Sequence, residues 1–100
     1  IFINRVLGAI EKHLPKPDVP TICKELGMSR TSLTTKIKEA TDMTPREYIE
    51  DIKLKIATNL IMEGCYNISE ISDKLGYSNP KYFTTRFTRR YGVAPSRYRK

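Results

Sequence analysis

Leu26-Gly27-Met28-Ser29 recurs as Leu75-Gly76-Tyr77-Ser78, an offset of 49 residues (26 to 75), and this repetition decides the fold. The same offset pairs Asp18 with Asn67, Val19 with Ile68 and Ile22 with Ile71. Beyond the turn, a slip of one residue pairs Leu33 with Phe83, Ile37 with Phe87, Pro45 with Pro95 and Tyr48 with Tyr98. Apolar type, turn glycine and proline agree across both copies. Chance helical periodicity does not readily supply all of these matches, so the repeat marks a duplicated structural unit.

Each copy reads as helix, turn, helix. Asp18 and Asn67 are N-caps, and Asn67 has Glu70 at the third helical position, as a capping box requires. Val19, Ile22 and Leu26, and again Ile68, Ile71 and Leu75, keep helical spacing. Gly27 and Gly76 fall where the first helix stops, at positions suited to positive φ. Ser29 and Ser78 are expected to cap the second helix. An ordinary helical hairpin would share much of this pattern. Its duplication instead points to two helix-turn-helix motifs, whose second helix enters the major groove of DNA.

Two more helices complete the chain. Phe2, Ile3, Val6, Leu7, Ile10 and Leu14 form one stripe, predicting an amphipathic helix over 2–14. Leu14-Pro15-Lys16-Pro17 breaks it. Thr44-Pro45-Arg46-Glu47 is a helix start, with a Thr cap, Pro first and Glu three residues on. The apolar pattern then runs through Tyr48, Ile49, Ile52, Ile56, Leu60 and Ile61 to Gly64. One linker helix of about 20 residues and roughly 30 Å follows. Successive major grooves on one face of a duplex lie about 34–36 Å apart, so a stiff spacer of that length suits two short blocks centred about 10 bp apart. The expected division is 1–43 and 65–100 as helix-turn-helix subdomains with 44–64 as linker. The fold class is all-α, with about seven helices.

A chain of 100 residues with net charge +7 and pI near 9.6 expects a polyanionic partner. Residues 1–50 carry eight Lys and Arg against seven Asp and Glu, and 51–100 carry ten against four. No acid follows Lys81. No run reaches the ~20 apolar residues of a membrane span. The first residue is Ile rather than Met, which points to a piece of a longer chain. Cys23 and Cys65 have no zinc-site spacing, and their apolar, helical context predicts buried thiols in a reduced, cytoplasmic protein. His13 stands alone near the end of the first helix, where its neutral role is with the helix dipole. With no nucleophile or carboxylate constellation around it and no glycine-rich phosphate loop, catalysis, metals and cofactors are not expected.

The buried face of each second helix fixes its outward one. Opposite Leu33 and Ile37 lie Thr31, Thr35 and Lys38, with Thr34 on the flank. Opposite Phe83 and Phe87 lie Lys81, Thr85 and Thr88, with Thr84 alongside. Both faces read as polar or cationic and free of acids. Threonine can bond base edges and touch the thymine methyl, and Lys81 can donate to guanine. Arg86, Arg89, Arg90 and Arg97 suit phosphates, with Ser29, Arg30, Ser78 and Asn79 on the flanks. Tyr82, Tyr91 and Tyr98 could stack on single-stranded bases, but their spacing beside Phe83 and Phe87 favours packing for most of them.

With these residues in place, the chain closely resembles the AraC/XylS family DNA-binding domain over nearly its whole length. The most specific part runs from Gly76-Tyr77-Ser78-Asn79-Pro80-Lys81-Tyr82-Phe83 through Phe87, then Tyr91-Gly92-Val93-Ala94-Pro95-Ser96-Arg97-Tyr98-Arg99. The resemblance implies base contacts at Thr31, Thr34 and Thr35, and at Pro80, Lys81 and Thr85. Family members often carry Arg at the positions of Thr35 and Thr85 and an aromatic at that of Ile37, which implies weaker base reading by the first unit. Phe2, Glu11-Lys12-His13-Leu14, Leu26 to Arg30 and Lys36-Ile37-Lys38 also resemble the regulator end of Bacteroides-type hybrid two-component sensors.

The expectation is a sequence-specific binder of double-stranded DNA that regulates transcription. RNA polymerase and a second copy, joined through regions outside this fragment, are further candidate partners. No small-molecule ligand or membrane contact is expected of the fragment, although its parent could be anchored in the inner membrane. The rival is a helical protein-interaction module that keeps the fold without DNA binding. It would place acids or large apolar residues on the outward faces.

Overall fold

The computed structural model describes residues 2–14 and 16–98, and among these there are seven helices and no strand. They are α1 Phe2–Lys12, α2 Val19–Leu26, α3 Arg30–Thr41, α4 Pro45–Glu63, α5 Ile68–Lys74, α6 Pro80–Tyr91 and α7 Pro95–Tyr98. None is long and apolar enough to cross a membrane. The chain divides into two compact units, Ile1–Ile52 and Lys53–Lys100. The division falls inside α4, so the expected separate linker over 44–64 contributes residues to both.

The first unit forms from local signals. Asp18 accepts from the Thr21 amide at 2.9 Å and caps α2. Ser29 accepts from the Ser32 amide at 3.1 Å and caps α3. Val6, Ala9 and Ile10 of α1 are buried, as are Val19 and Ile22 of α2, Leu33 and Ile37 of α3, and Tyr48, Ile49 and Ile52 of α4. α1 stops at Lys12, two residues before the predicted end. Of the predicted break Leu14-Pro15-Lys16-Pro17, Pro15 lies outside the described residues. His13, just past the helix, bonds Glu25 through Nε2 at 3.0 Å, and Lys12 Nζ lies 3.3 Å from the same carboxylate. The histidine thus ties the end of α1 to α2, and does not serve the helix dipole alone.

The second unit has its own core of Leu54, Ala57, Ile61, Ile71, Leu75, Tyr77, Phe83 and Phe87. Its centre is aromatic. The Phe87 ring lies 5.8 Å from Phe83, 4.8 Å from Tyr91 and 5.5 Å from Tyr98. α5 starts with a complete capping box between Asn67 and Glu70. α4 starts the same way: the Thr44 amide donates to Glu47 at 2.9 Å, and the Glu47 amide to Thr44 at 3.2 Å.

Two expectations are corrected here. The predicted α4 stripe included Ile56 and Leu60, which are only half-buried, while Leu54 and Ala57 are buried instead. One helix serves two cores, so its buried stripe changes after Ile52 and no single period describes it. Cys65 lies beyond the end of α4 and is exposed, with its thiol 3.8 Å from the Glu63 carbonyl; Cys23 is half-buried, and both are free. Gly64 already stops the helix at φ 74°, before Cys65 could reach a packed face.

Candidate nucleic-acid interface

The two helix-turn-helix turns share one hydrogen-bond pattern. The Met28 amide donates to the Cys23 carbonyl at 3.0 Å, and the Tyr77 amide to the Ser72 carbonyl at 3.1 Å. Gly27 and Gly76 sit at φ 65° and 81°, the left-handed conformation that favours glycine, as the sequence predicted. The second helices start differently. Ser29 caps α3, but Ser78 does not cap α6: Asn79 does, accepting from the Tyr82 amide at 2.7 Å. The one-residue slip between the copies falls at this point. It leaves Ser78 in the turn with its hydroxyl uncommitted to the cap.

Leu33 and Ile37 are 0% and 1% exposed, and Phe83 and Phe87 are both 0% exposed. These four side chains fix the rotation of α3 and α6 within their units. Thr31, Thr34, Thr35 and Lys38 are exposed on α3, and Pro80, Lys81, Thr85 and Thr88 on α6. Thr84 is half-buried and flanks that face. The Thr85 hydroxyl donates to the Lys81 carbonyl at 3.1 Å, so it meets a ligand through its lone pairs and methyl group. Arg30 and Arg89 are exposed on α3 and α6, and Arg97 on α7. Arg86 is half-buried, and Arg90 lies over the Tyr91 ring at 4.8 Å.

The acid-free reading of the outward faces is wrong at one place. Glu39 is exposed and stands at i+8 from Thr31 and i+4 from Thr35, which puts it on the same stripe. Extending the helical stripe one turn further would have found it. Lys38 is drawn toward Asp42, 3.8 Å away. Tyr91 and Tyr98 pack on Phe87 as expected, whereas Tyr82 is 49% exposed despite its ring lying 5.9 Å from Tyr77.

Residues 22–100 match the family of the helix-turn-helix domain. The chain is 44% identical over 81 residues to a histidine kinase from Formosa agariphila, a match covering 81% of this chain and 6% of that protein. It is 29% identical to the helix-turn-helix transcriptional regulator AlkR of Acinetobacter baylyi, covering 98% of this chain and 32% of the relative. The chain therefore spans only a small part of these relatives. The fold also matches the DNA-binding domain of AdpA, a global transcriptional factor solved with a target DNA. That match has a TM-score of 0.83 and 23% identity, and covers 97% of this chain and 88% of that one. The matched part is a binding fold and not an enzyme. With two such motifs and a match over most of its length, the chain belongs to the AraC/XylS-type helix-turn-helix family, the DNA-binding domains of transcription regulators.

Proposed function

We propose that α3 and α6 are the two reading helices of a site-specific binder of double-stranded DNA. Thr31, Thr34 and Thr35 read one block, and Pro80, Lys81 and Thr85 the other, with Thr84 at the edge. Ser29, Arg30, Lys38, Ser78, Asn79, Arg86, Arg89, Arg90 and Arg97 then position the chain on phosphates or flank the reading faces. The observation that carries this is the burial of Leu33, Ile37, Phe83 and Phe87, which leaves small, polar or cationic residues at the N-terminal half of each opposite face, with the half-exposed Tyr82 ring beside them on α6. Residues near the start of the second helix are the ones that reach base edges in such motifs.

The parent protein in this reading is a hybrid two-component sensor, supported by the similarity to a histidine kinase. The domain then works in the cytoplasm, below a membrane anchor lying elsewhere in the parent. RNA polymerase and a second copy of the parent are its further partners. Selection of bound duplexes from a random pool tests the core of the proposal. Two short, non-identical blocks at a fixed spacing are expected, because the Thr31–Thr35 and Lys81–Thr85 surfaces differ. Enrichment of a single block would mean that only one helix reads, and enrichment of none would overturn site-specific reading.

A further inference from the structure

We propose that the two units divide the work of DNA binding unequally. The second supplies most of the phosphate anchoring beside its own reading face, while the first contributes base reading with little anchoring of its own. This rests on the duplex-binding reading above. Charge carries it. The unit Ile1–Ile52 holds eight Lys and Arg against eight Asp and Glu, and is electroneutral. The unit Lys53–Lys100 holds ten against three, so the whole net charge of +7 resides there.

The repeat localises the difference. Glu39 stands where the second copy has Arg89, and Glu47 where it has Arg97. Glu39 and Arg89 are both exposed, at equivalent positions on helices whose rotation the buried pairs Leu33/Ile37 and Phe83/Phe87 fix in the same way. Three of the eight cations of the first unit are already engaged. Lys36 lies 5.7 Å over the Phe2 ring, Lys38 3.8 Å from Asp42, and Lys12 3.3 Å from Glu25. Among the described residues, no acid pairs with Arg89 or Arg97, and both are exposed.

Each phosphate neutralised contributes about 0.9 to the slope of log affinity against log salt. An electroneutral unit adds little to that sum. A carboxylate about 6–8 Å from a phosphate weakens association roughly two- to threefold even at the dielectric constant of water. On a random duplex, where base contacts give nothing back, the first unit is therefore weakly held.

The test is the salt dependence of binding to one random-sequence duplex, measured by fluorescence anisotropy with this chain and three variants whose helicity is checked by circular dichroism. Arg89→Gln with Arg97→Gln should lower the slope by about 2, and Arg30→Gln with Lys38→Gln by less than about 0.5. Glu39→Arg should raise it by about 1, turning the first unit into a second anchor. Equal losses from the two double variants would overturn the proposal, as would an unchanged slope in Glu39→Arg. A steep slope for the unaltered chain alongside either result leaves duplex binding standing. Salt-independent binding by the unaltered chain would overturn both readings.

Discussion

Ser72→Ala should stabilise the second unit. The Ser72 hydroxyl in α5 is completely buried and has no hydrogen-bond partner among the described residues. A buried hydroxyl without a partner costs roughly 1–3 kcal/mol in lost hydration. Alanine removes that cost, and its higher helix propensity adds up to about 0.5 kcal/mol. The volume lost is a single oxygen, so the cavity penalty is small beside those terms. A net gain of about 1–2 kcal/mol is expected, and a gain of 1 kcal/mol raises the midpoint of a domain this size by about 4–8 °C. The first copy supports the argument, because the repeat places Cys23, a softer and less polar side chain, at the equivalent position. Urea unfolding with an unchanged m-value is the assay. A loss of stability would refute the reasoning, because it would mean that the hydroxyl is bonded in the native protein.

Asp42 closes α3 in the left-handed conformation at φ 63°, where the second copy uses Gly92 at φ 81°. Asp42→Gly should therefore stabilise by about 0.5–1 kcal/mol in denaturant titration, the lost exposed contact to Lys38 being worth a few tenths at most. Asn79→Ala should cost about 1 kcal/mol of stability, and Ser78→Ala close to none, because only Asn79 caps α6. Hydrogen bonding with Thr21 holds the Asp18 carboxyl below its ordinary 3.8, and hydrogen bonds from His13 and then Lys12 hold Glu25 below 4.5. Folded values below unfolded ones mean stability that is present above about pH 4.5 and lost as pH falls through the depressed values. Thermal melts from pH 6 down to pH 3 should show this loss, and Asp18→Asn with Glu25→Gln should flatten it.

The parts of the fold written in local chemistry were legible in the sequence. Capping at Asp18, Thr44 and Asn67, the turns at Gly27 and Gly76, and the start of α4 at Pro45 are all decided by a few adjacent residues. What escaped depended on tertiary context. The change of buried stripe within α4 follows from one helix serving two cores, which a single periodic template cannot express. Either Ser78 or Asn79 suits the cap of α6 by residue type, and the slip between the copies falls at the cap itself. Glu39 lies one turn beyond Thr35, and its position on the stripe is fixed by Leu33 and Ile37. The exposure of Cys65 depends on where α4 ends, and boundaries are the least certain part of a periodic pattern.

In the proposed function, side chains on α3 and α6 read bases and do not merely hold phosphates. Repeating the duplex selection with Thr31→Ala and with Lys81→Ala tests it most directly. Each variant should relax preference at one or two base pairs, in different blocks, and lose about 1–3 kcal/mol on the selected site while random duplex is bound almost as before. If Lys81→Ala weakened selected and random duplexes equally, Lys81 would be a phosphate contact and the reading face of α6 would lie elsewhere.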